Sequence, residues 1–179
     1  MKRGNTMEKK MFFGREVIEG KTFNALPEMG DKKYYVECKF KGVQAERADM
    51  SHTEFNRCEF EGCNFKNAKM QEAVFSNSYF SDCELRSADL TLAKLDHGRI
   101  DGCRIDDMRL AGASFESMYM TRNKGKALDV DSVRFGLGGA TQTEYERHTA
   151  KLRQELSGEK QVKRVIGRHT GGRESERGR

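Results

Sequence analysis

The sequence predicts an all-β solenoid, and three observations lead to that prediction. Every fifth residue from Phe40 to Met120 is large and apolar: 16 of these 17 positions hold Phe, Leu, Ile or Met, although only 34 of the 179 residues are of those types. The residue two places earlier, from Cys38 to Met118, is small at 15 of the 17 positions. The residue two places later is Gly, Asn, Asp or Ser, all of them turn formers, at ten of the 17.

A period of five excludes a simple helix or strand for this region. Five residues advance an α-helix by about 140°, so the large residues would spiral around its whole surface. In a strand, an odd spacing sends successive members to opposite faces. The period is satisfied by a chain that turns a corner once per repeat, with one small and one large side chain pointing inward each time. The other three positions then point outward, and they are polar or charged almost throughout.

Two segments carry a resemblance to a known family. Residues 48–52 (ADMSH) and 88–92 (ADLTL) resemble the A-(D/N)-(L/F)-x-x unit of pentapeptide-repeat proteins. The resemblance extends over residues 38–122 without an insertion, although the Asp/Asn position often holds another residue. It implies a right-handed, four-sided parallel β-helix with four repeats per coil. Phe60 and Phe80, which are four repeats apart, are then expected to stack one above the other.

The composition outside the repeats predicts how the two ends are organised. We expect an N-terminal cap over residues 1–35 and the β-helix over residues 36–122. A C-terminal cap with a helix is expected over 123–157, followed by a disordered basic tail over 158–179. We expect the N-terminal cap to be built from apolar residues: Met11, Phe12, Phe13, Val17, Ile18, Phe23 and Leu26. Residues 159–179 hold seven Lys/Arg against three acids and lack the apolar content that folding requires.

A capping box predicts where the C-terminal helix begins. Thr143 followed by Glu146 predicts the start, and the helix is expected to run to about Leu156 and to stop at Gly158. Two interpretations of its apolar face stay open. The face packs on the end of the chain's own rod, or it forms a homodimer contact, as the resemblance implies, because relatives often pair through their C-terminal segments. The candidate dimer residues are Tyr145, Leu152 and Leu156.

Length and composition indicate a soluble, cytoplasmic protein of bacterial or phage type. The chain has a net charge of +5 and a mean hydropathy of −0.84, and no stretch approaches the roughly 20 apolar residues that a membrane span needs. The start of the chain contains no apolar signal core. Secretion as an effector stays open, since specialised secretion does not require a cleavable signal.

Five cysteines occupy the small inward position, and their odd number argues against a closed disulfide framework. We expect them to pack as small apolar residues rather than to hold a metal. The sequence also contains no Gly-rich phosphate loop, no HExxH and no nucleophile elbow. We therefore predict a protein that is not an enzyme, with no catalytic, metal-binding or cofactor-binding residues and no cofactor.

Charge decides between two functions that the resemblance implies. Quinolone-resistance proteins of this type occupy the DNA-binding saddle of type II topoisomerases and are interpreted as acidic rods that resemble duplex DNA. Residues 36–122 carry 12 Lys/Arg and 15 Asp/Glu, whereas a duplex of the same length, about 20 Å, carries roughly 12 negative charges. We therefore favour a protein-binding or scaffold module. A DNA gyrase-interacting protective factor and a secreted bacterial effector are the alternatives.

Two sets of residues are candidate contacts. Four apolar residues point outward from the predicted rod, and we expect them to contact a partner protein, although isolated exposed apolar residues are also normal on any surface. They are Val74, Leu92, Tyr79 and Tyr119. The basic tail supplies the expected route to nucleic acid or another polyanion. Its candidate residues are Lys160, Lys163, Arg164, Arg168 and Arg173.

Overall fold

A computed structural model describes residues 10–31 and 33–158 as a parallel β-solenoid with one α-helix at its C-terminal end. The strands are short because the chain turns after every repeat. They are β1 (Met11–Phe12), β2 (Arg15–Glu19), β3 (Thr22–Phe23), β4 (Lys33–Val36), β5 (Lys39–Lys41), β6 (Glu54–Asn56), β7 (Glu59–Glu61), β8 (Val74–Ser76), β9 (Tyr79–Ser81), β10 (Arg99–Asp101), β11 (Ser114–Glu116), β12 (Tyr119–Thr121) and β13 (Arg134–Gly136). A 3₁₀ turn covers Val130–Ser132, and the helix α1 covers Gln142–Ser157.

The coils stack into four faces, which we designate A to D in chain order. Face A contains β2, β4, β6 and β8, then Lys94, then β11 and β13. Face B is a six-stranded parallel sheet in the order β3-β5-β7-β9-β10-β12. Faces C and D are joined by single parallel bridges, such as Gln44 to Asn64 on face C and Asp49 to Lys69 on face D. The predicted four-sided β-helix is confirmed.

Equivalent residues pair across neighbouring coils, as predicted. On face B, Phe60 pairs with Phe80, and Phe80 pairs with Ile100. The first coil is slightly shorter than the others, because Phe23 pairs with Phe40. Parallel pairing runs from β2 to β13 and so continues beyond the expected 36–122 at both ends.

The corners have one backbone conformation throughout. The residue two places after each large inward residue has a positive φ, between 49° and 67°, at all 17 positions from Gly42 to Arg122. Ten of these are the Gly, Asn, Asp and Ser residues that indicated turns in the sequence. The other seven take the same left-handed conformation although their side chains disfavour it. They are Arg47, His52, Arg57, Glu72, Leu92, His97 and Arg122.

Two stacks of aromatic rings fill part of the interior. The stack under face B has successive ring centroids 5.1, 4.7 and 4.6 Å apart, and the stack under face A has centroids 5.3 and 5.0 Å apart. Their members are Phe23, Phe40, Phe60 and Phe80, and Tyr35, Phe55 and Phe75. Rings of the two stacks meet edge to face, an arrangement that adds about 0.5–1.5 kcal/mol per pair to the burial of apolar area.

The C-terminal helix begins two positions earlier than predicted. Thr141 is the N-cap: its hydroxyl accepts a hydrogen bond from the Glu144 amide, while the Glu144 carboxylate accepts one from the Thr141 amide at 2.9 Å. The predicted capping box of Thr143 and Glu146 is wrong. Thr141 also precedes an acid, Glu144, by three residues, and a helix that begins there is two residues longer. The predicted end at Gly158 is confirmed, since Gly158 is the C-cap with φ 71°.

This helix covers the end of its own rod. Leu152 and Leu156 are buried in the same core as the coils, and Tyr145 donates a hydrogen bond to the Phe135 carbonyl at 3.4 Å. The Ala127 amide donates to the Leu156 carbonyl at 2.8 Å. The candidate dimer residues Leu152 and Leu156 are therefore not free for a homodimer contact. Of the two interpretations that the sequence left open, the structure has the helix packed on the rod.

At the N-terminal end, an antiparallel hairpin of β1 and β2 adds β1 to the edge of face A. Its residues Met11, Phe12 and Phe13 are 57, 50 and 90% exposed and so lie outside the buried core, although β1 pairs with β2 and the Phe12 ring stacks on Tyr34 with centroids 5.7 Å apart. The apolar contact with the first coil comes from residues further along the chain. They are Ile18, Phe23, Leu26 and Met29.

We expect Phe60→Ala to lower the free energy of unfolding by about 3–5 kcal/mol, because it removes a ring held between Phe40 and Phe80. Urea unfolding followed by circular dichroism measures the change. The matched control is Tyr79→Ala, whose ring is half exposed and lies outside the core, and which should cost less than about 1 kcal/mol. Equal losses for the two variants would contradict the stacked core.

Candidate interaction surface

Two exposed tyrosines on face B flank an arginine. Tyr79 of β9, Arg99 of β10 and Tyr119 of β12 are register partners in one outward column. The tyrosines are 49 and 55% exposed. We call these three residues the Tyr–Arg strip. Because neighbouring strands lie about 4.8 Å apart, the strip is roughly 10 Å long.

Arg99 is oriented by the neighbouring outward column. Its Nη2 donates to Thr121 Oγ1 at 3.1 Å and lies 3.7 Å from Asp101 Oδ2. Asp101 also accepts hydrogen bonds from the Arg122 guanidinium and the Thr121 hydroxyl, and these lower the pKa of its carboxyl below the ordinary value. The carboxylate is therefore charged at neutral pH and holds two cations beside the strip.

The C-terminal helix borders the strip at one end. The Tyr119 ring meets the His148 ring of α1 edge to face, with centroids 5.3 Å apart and planes at 72°. His148 itself is half-buried. Tyr119 consequently lies where face B meets the helix, so that a partner on the strip would also touch α1.

The four predicted contact residues divide into two groups. Tyr79 and Tyr119 belong to face B, whereas Val74 lies on face A, half-buried between Glu54 and Lys94. Leu92 is 50% exposed at a corner between faces D and A. Its side chain extends over Gly112 of the next coil, where Leu92 Cδ2 lies 2.8 Å from the place that a Cβ would occupy. The structure thus unites the tyrosines but leaves Val74 and Leu92 on another side.

Opposite charges alternate along the outward columns. Ion pairs join equivalent positions of neighbouring coils, with N to O distances of 2.8–3.7 Å. The pairs are Lys39–Glu59, Lys41–Glu61, Arg57–Glu37 and Lys66–Glu46. Each contributes little stability because both partners are exposed. Their consequence is electrostatic: each of these charges has an opposite one in the next coil, so these columns are locally neutral.

A groove with a volume of about 1040 Å³ lies between one side of α1 and the last coil, beside the place where the two pack together. One wall is formed by residues 122–125 and the other by one side of α1. The wall formed by the last coil carries the cations Arg122 and Lys124. The wall formed by α1 carries the cations Arg147 and Lys151 and the acid Glu155. We call this feature the basic groove. No local sequence pattern indicates this groove, because it arises where two separate segments of the chain meet.

The five cysteines lie in two buried columns, all as free thiols. Their side chains donate to backbone carbonyls, as Cys63 does to Phe40 at 3.3 Å. The contact with Cys58 lowers the pKa of Cys38 to about 7, while the same contact and burial raise the pKa of Cys58. Contacts with Cys103 and Cys63, together with burial, raise the pKa of the Cys83 thiol.

Other predicted features fall outside the described residues or receive no test there. The tail residues Lys160, Lys163, Arg164, Arg168 and Arg173 lie beyond residue 158, where the description ends. Among residues 10–31 and 33–158, no group of three or more His, Cys, Asp or Glu side chains is placed to hold a metal ion. The same residues include no helix that is long and apolar enough to span a bilayer.

Two family models match the chain. The model described as a pentapeptide repeat region matches residues 53–129, and the model described as pentapeptide repeats (8 copies) matches residues 36–67. Together they extend from residue 36 to residue 129. A comparison with curated proteins gives no match.

Several solved structures are similar at low identity. Rfr23, a pentapeptide repeat protein from the cyanobacterium Cyanothece 51142, is 15% identical with a TM-score of 0.44, and the alignment covers 56% of this chain and 85% of that one. HetL from Nostoc sp. strain PCC 7120, involved in heterocyst differentiation regulation, is 13% identical with a TM-score of 0.38 and 70% of each chain covered. Full-length QnrB1, a plasmid-mediated fluoroquinolone resistance protein, is 15% identical with a TM-score of 0.32, covering 76% of this chain and 99% of that one.

We expect the five thiols to react slowly with a disulfide reagent in the folded protein, because all are 0–1% exposed. Labelling with Ellman's reagent should give less than one equivalent without urea and five in urea. Ser87→Cys, at an exposed corner, is the positive control and should add one fast equivalent. Fast labelling of a native thiol in the unmodified chain would contradict a closed interior.

Proposed function

We propose that this chain, which belongs to the pentapeptide-repeat family, is a non-enzymatic module that binds a partner protein through face B of its rod. Pentapeptide repeat proteins are generally structural or binding modules rather than catalysts. The observation that carries the proposal is the Tyr–Arg strip. Its two exposed tyrosines and the arginine between them form one straight column on a regular sheet.

The chemistry of the strip suits a protein contact. Tyr and Arg are enriched among the residues that dominate binding free energy at protein interfaces, because each offers a large contact area together with hydrogen-bond donors. Tyr side chains also lose little conformational entropy when they are immobilised. Arg99 is already oriented by Thr121 and Asp101, so part of the ordering cost is met before a partner arrives.

Rigidity of the support favours the same function. Both tyrosines are carried by strands whose inward neighbours, Phe80 and Met120, are buried in the core. The strand between them, β10, is hydrogen-bonded on both sides within face B. A partner would therefore meet a surface with little backbone freedom, which limits the entropy lost on binding.

The topoisomerase alternative receives less support from the same surface. Electrostatic imitation of DNA needs a continuous acidic stripe, and the outward columns instead alternate in sign, as Lys39–Glu59 and Lys41–Glu61 show. A gyrase supercoiling assay with and without quinolone distinguishes this alternative. We expect the protein to leave supercoiling unchanged.

The strip is tested by affinity purification from the native host with the unmodified chain and with Tyr79→Ala/Tyr119→Ala. We expect the variant to lose the partner at least tenfold while circular dichroism stays unchanged, because both side chains are outside the core. Loss of the ring contact between Tyr119 and His148 should lower the free energy of unfolding by no more than about 1.5 kcal/mol. Val74→Asp/Leu92→Asp is the matched control, since it also alters two partly exposed positions but on another side of the rod. Asp tolerates the left-handed conformation of residue 92.

Retention of the partner by the tyrosine variant would contradict a binding site on face B. Loss of the partner by the control variant, with its fold intact, would move the site to faces D and A instead. Recovery of no specific partner by the unmodified chain would count against the binding module itself.

A further inference from the structure

We propose that the basic groove between α1 and the last coil binds an acidic, extended segment of the partner protein. This inference rests on the proposed protein-binding function and names the chemistry of one part of the partner. It concerns a different set of residues from the Tyr–Arg strip, although Tyr119 lies at the nearby edge of the helix.

The groove has the length and depth for a short stretch of peptide. Its helical wall runs from Arg147 to Gly158, which is about 16 Å at roughly 1.5 Å per residue. An extended peptide covers that distance with about five residues. Three small residues also line the groove; Gly125 and Gly158 pack against each other and bring the two walls together, whereas Ala150 is exposed.

Charge identifies the ligand class. Arg122 is engaged by Asp101 across the edge of the groove. Within residues 10–31 and 33–158, no ion pair engages Lys124, Arg147 or Lys151, all of which are exposed. Within this part of the chain, the two walls thus carry three cations without an ion pair and one carboxylate, Glu155, and the Asp106 carboxylate lies next to Gly125, so that positive charge is in excess. An anionic segment in the groove would satisfy these charges.

Positive charge is concentrated in the C-terminal third of the sequence. Residues 122–179 carry 14 Lys/Arg against eight Asp/Glu, whereas residues 1–121 carry 19 against 20. The net positive charge of the chain therefore comes entirely from residues 122–179, and residue 122 is the first residue of the groove. Within the described residues, 122–158 carry seven Lys/Arg against five Asp/Glu, an excess that favours the approach of an acidic partner.

The lining favours a peptide over a nucleic acid. Proteins that bind single strands combine cations with aromatic rings on which the bases stack, and no aromatic residue among the described ones lines the groove. The nearest ring of the strip, Tyr119, is packed against His148. The guanidinium of Arg147 can pair with a carboxylate through two hydrogen bonds, as it can with a phosphate, so the absence of a stacking ring among the described lining residues is what favours the peptide.

Fluorescence anisotropy on the full chain tests the proposal with a fluorescein-labelled octapeptide of alternating Glu and Ala. We expect saturable binding at low salt that Arg147→Gln/Lys151→Gln weakens at least tenfold. Lys66→Gln/Lys94→Gln is the control: it also removes two positive charges, but on faces C and A, and should change the affinity less than twofold. Circular dichroism confirms that α1 persists in both variants.

Absence of saturable binding, or equal weakening by both variants, would overturn the proposal. Tighter binding of a labelled oligothymidylate than of the Glu–Ala peptide would overturn it in favour of a nucleic-acid groove. The two proposals can be tested separately. If a partner is captured through the tyrosines but the Glu–Ala peptide does not bind, the groove proposal is wrong and the proposed binding function stands.

Discussion

A chain that turns a corner at every repeat must take the left-handed backbone conformation at each corner, and the rest of the structure depends on how that cost is offset. Thirteen of the 17 corner residues are not glycine, and each such residue loses about 1–2 kcal/mol relative to a right-handed conformation. The stacked coils supply the compensation. At nearly every corner the backbone amide donates to a carbonyl of the next coil, as Leu92 does to Ala111 at 2.8 Å.

The same stacking separates the interior from the surface. Inward positions satisfy both packing and backbone hydrogen bonds: Ser78 Oγ accepts from the Cys58 amide at 3.1 Å, and Asn123 Oδ1 accepts from the Cys103 amide at 2.9 Å. Outward side chains are less constrained: a few accept hydrogen bonds at the corners, as Asp89 Oδ1 does from the Thr91 amide at 3.0 Å, but the left-handed corner itself is held by backbone pairing between coils. The outer columns are therefore free to hold ion pairs on one stretch and the Tyr–Arg strip on another, and function resides there.

The sequence was a good guide wherever one rule repeats. The period of five predicted the four faces, the stacking of Phe60 on Phe80, and the buried cysteines, because each depends on a constraint that recurs in every coil. Structural features that occur only once in the chain were harder to predict. Thr141 and Thr143 both precede an acid at the right spacing, and only the packing of α1 selects the first. The sequence places Phe13 with the apolar residues of the cap, because hydrophobicity alone does not show which side chains of a hairpin stay exposed. The basic groove had no signal in the local sequence, since its two walls come from separate segments of the chain.

Two internal deletions of different length test most directly the claim that the fold depends on a corner at every fifth residue. A deletion of residues 66–85 removes four repeats, one full coil, and keeps every remaining corner in phase, whereas a deletion of residues 66–83 stops two positions short and shifts the phase. The measurement is thermal unfolding followed by far-ultraviolet circular dichroism. The account predicts a β-type spectrum and a single cooperative transition for the first deletion, and loss of both for the second. Cooperative unfolding of both shortened chains, with the same spectrum, would contradict it.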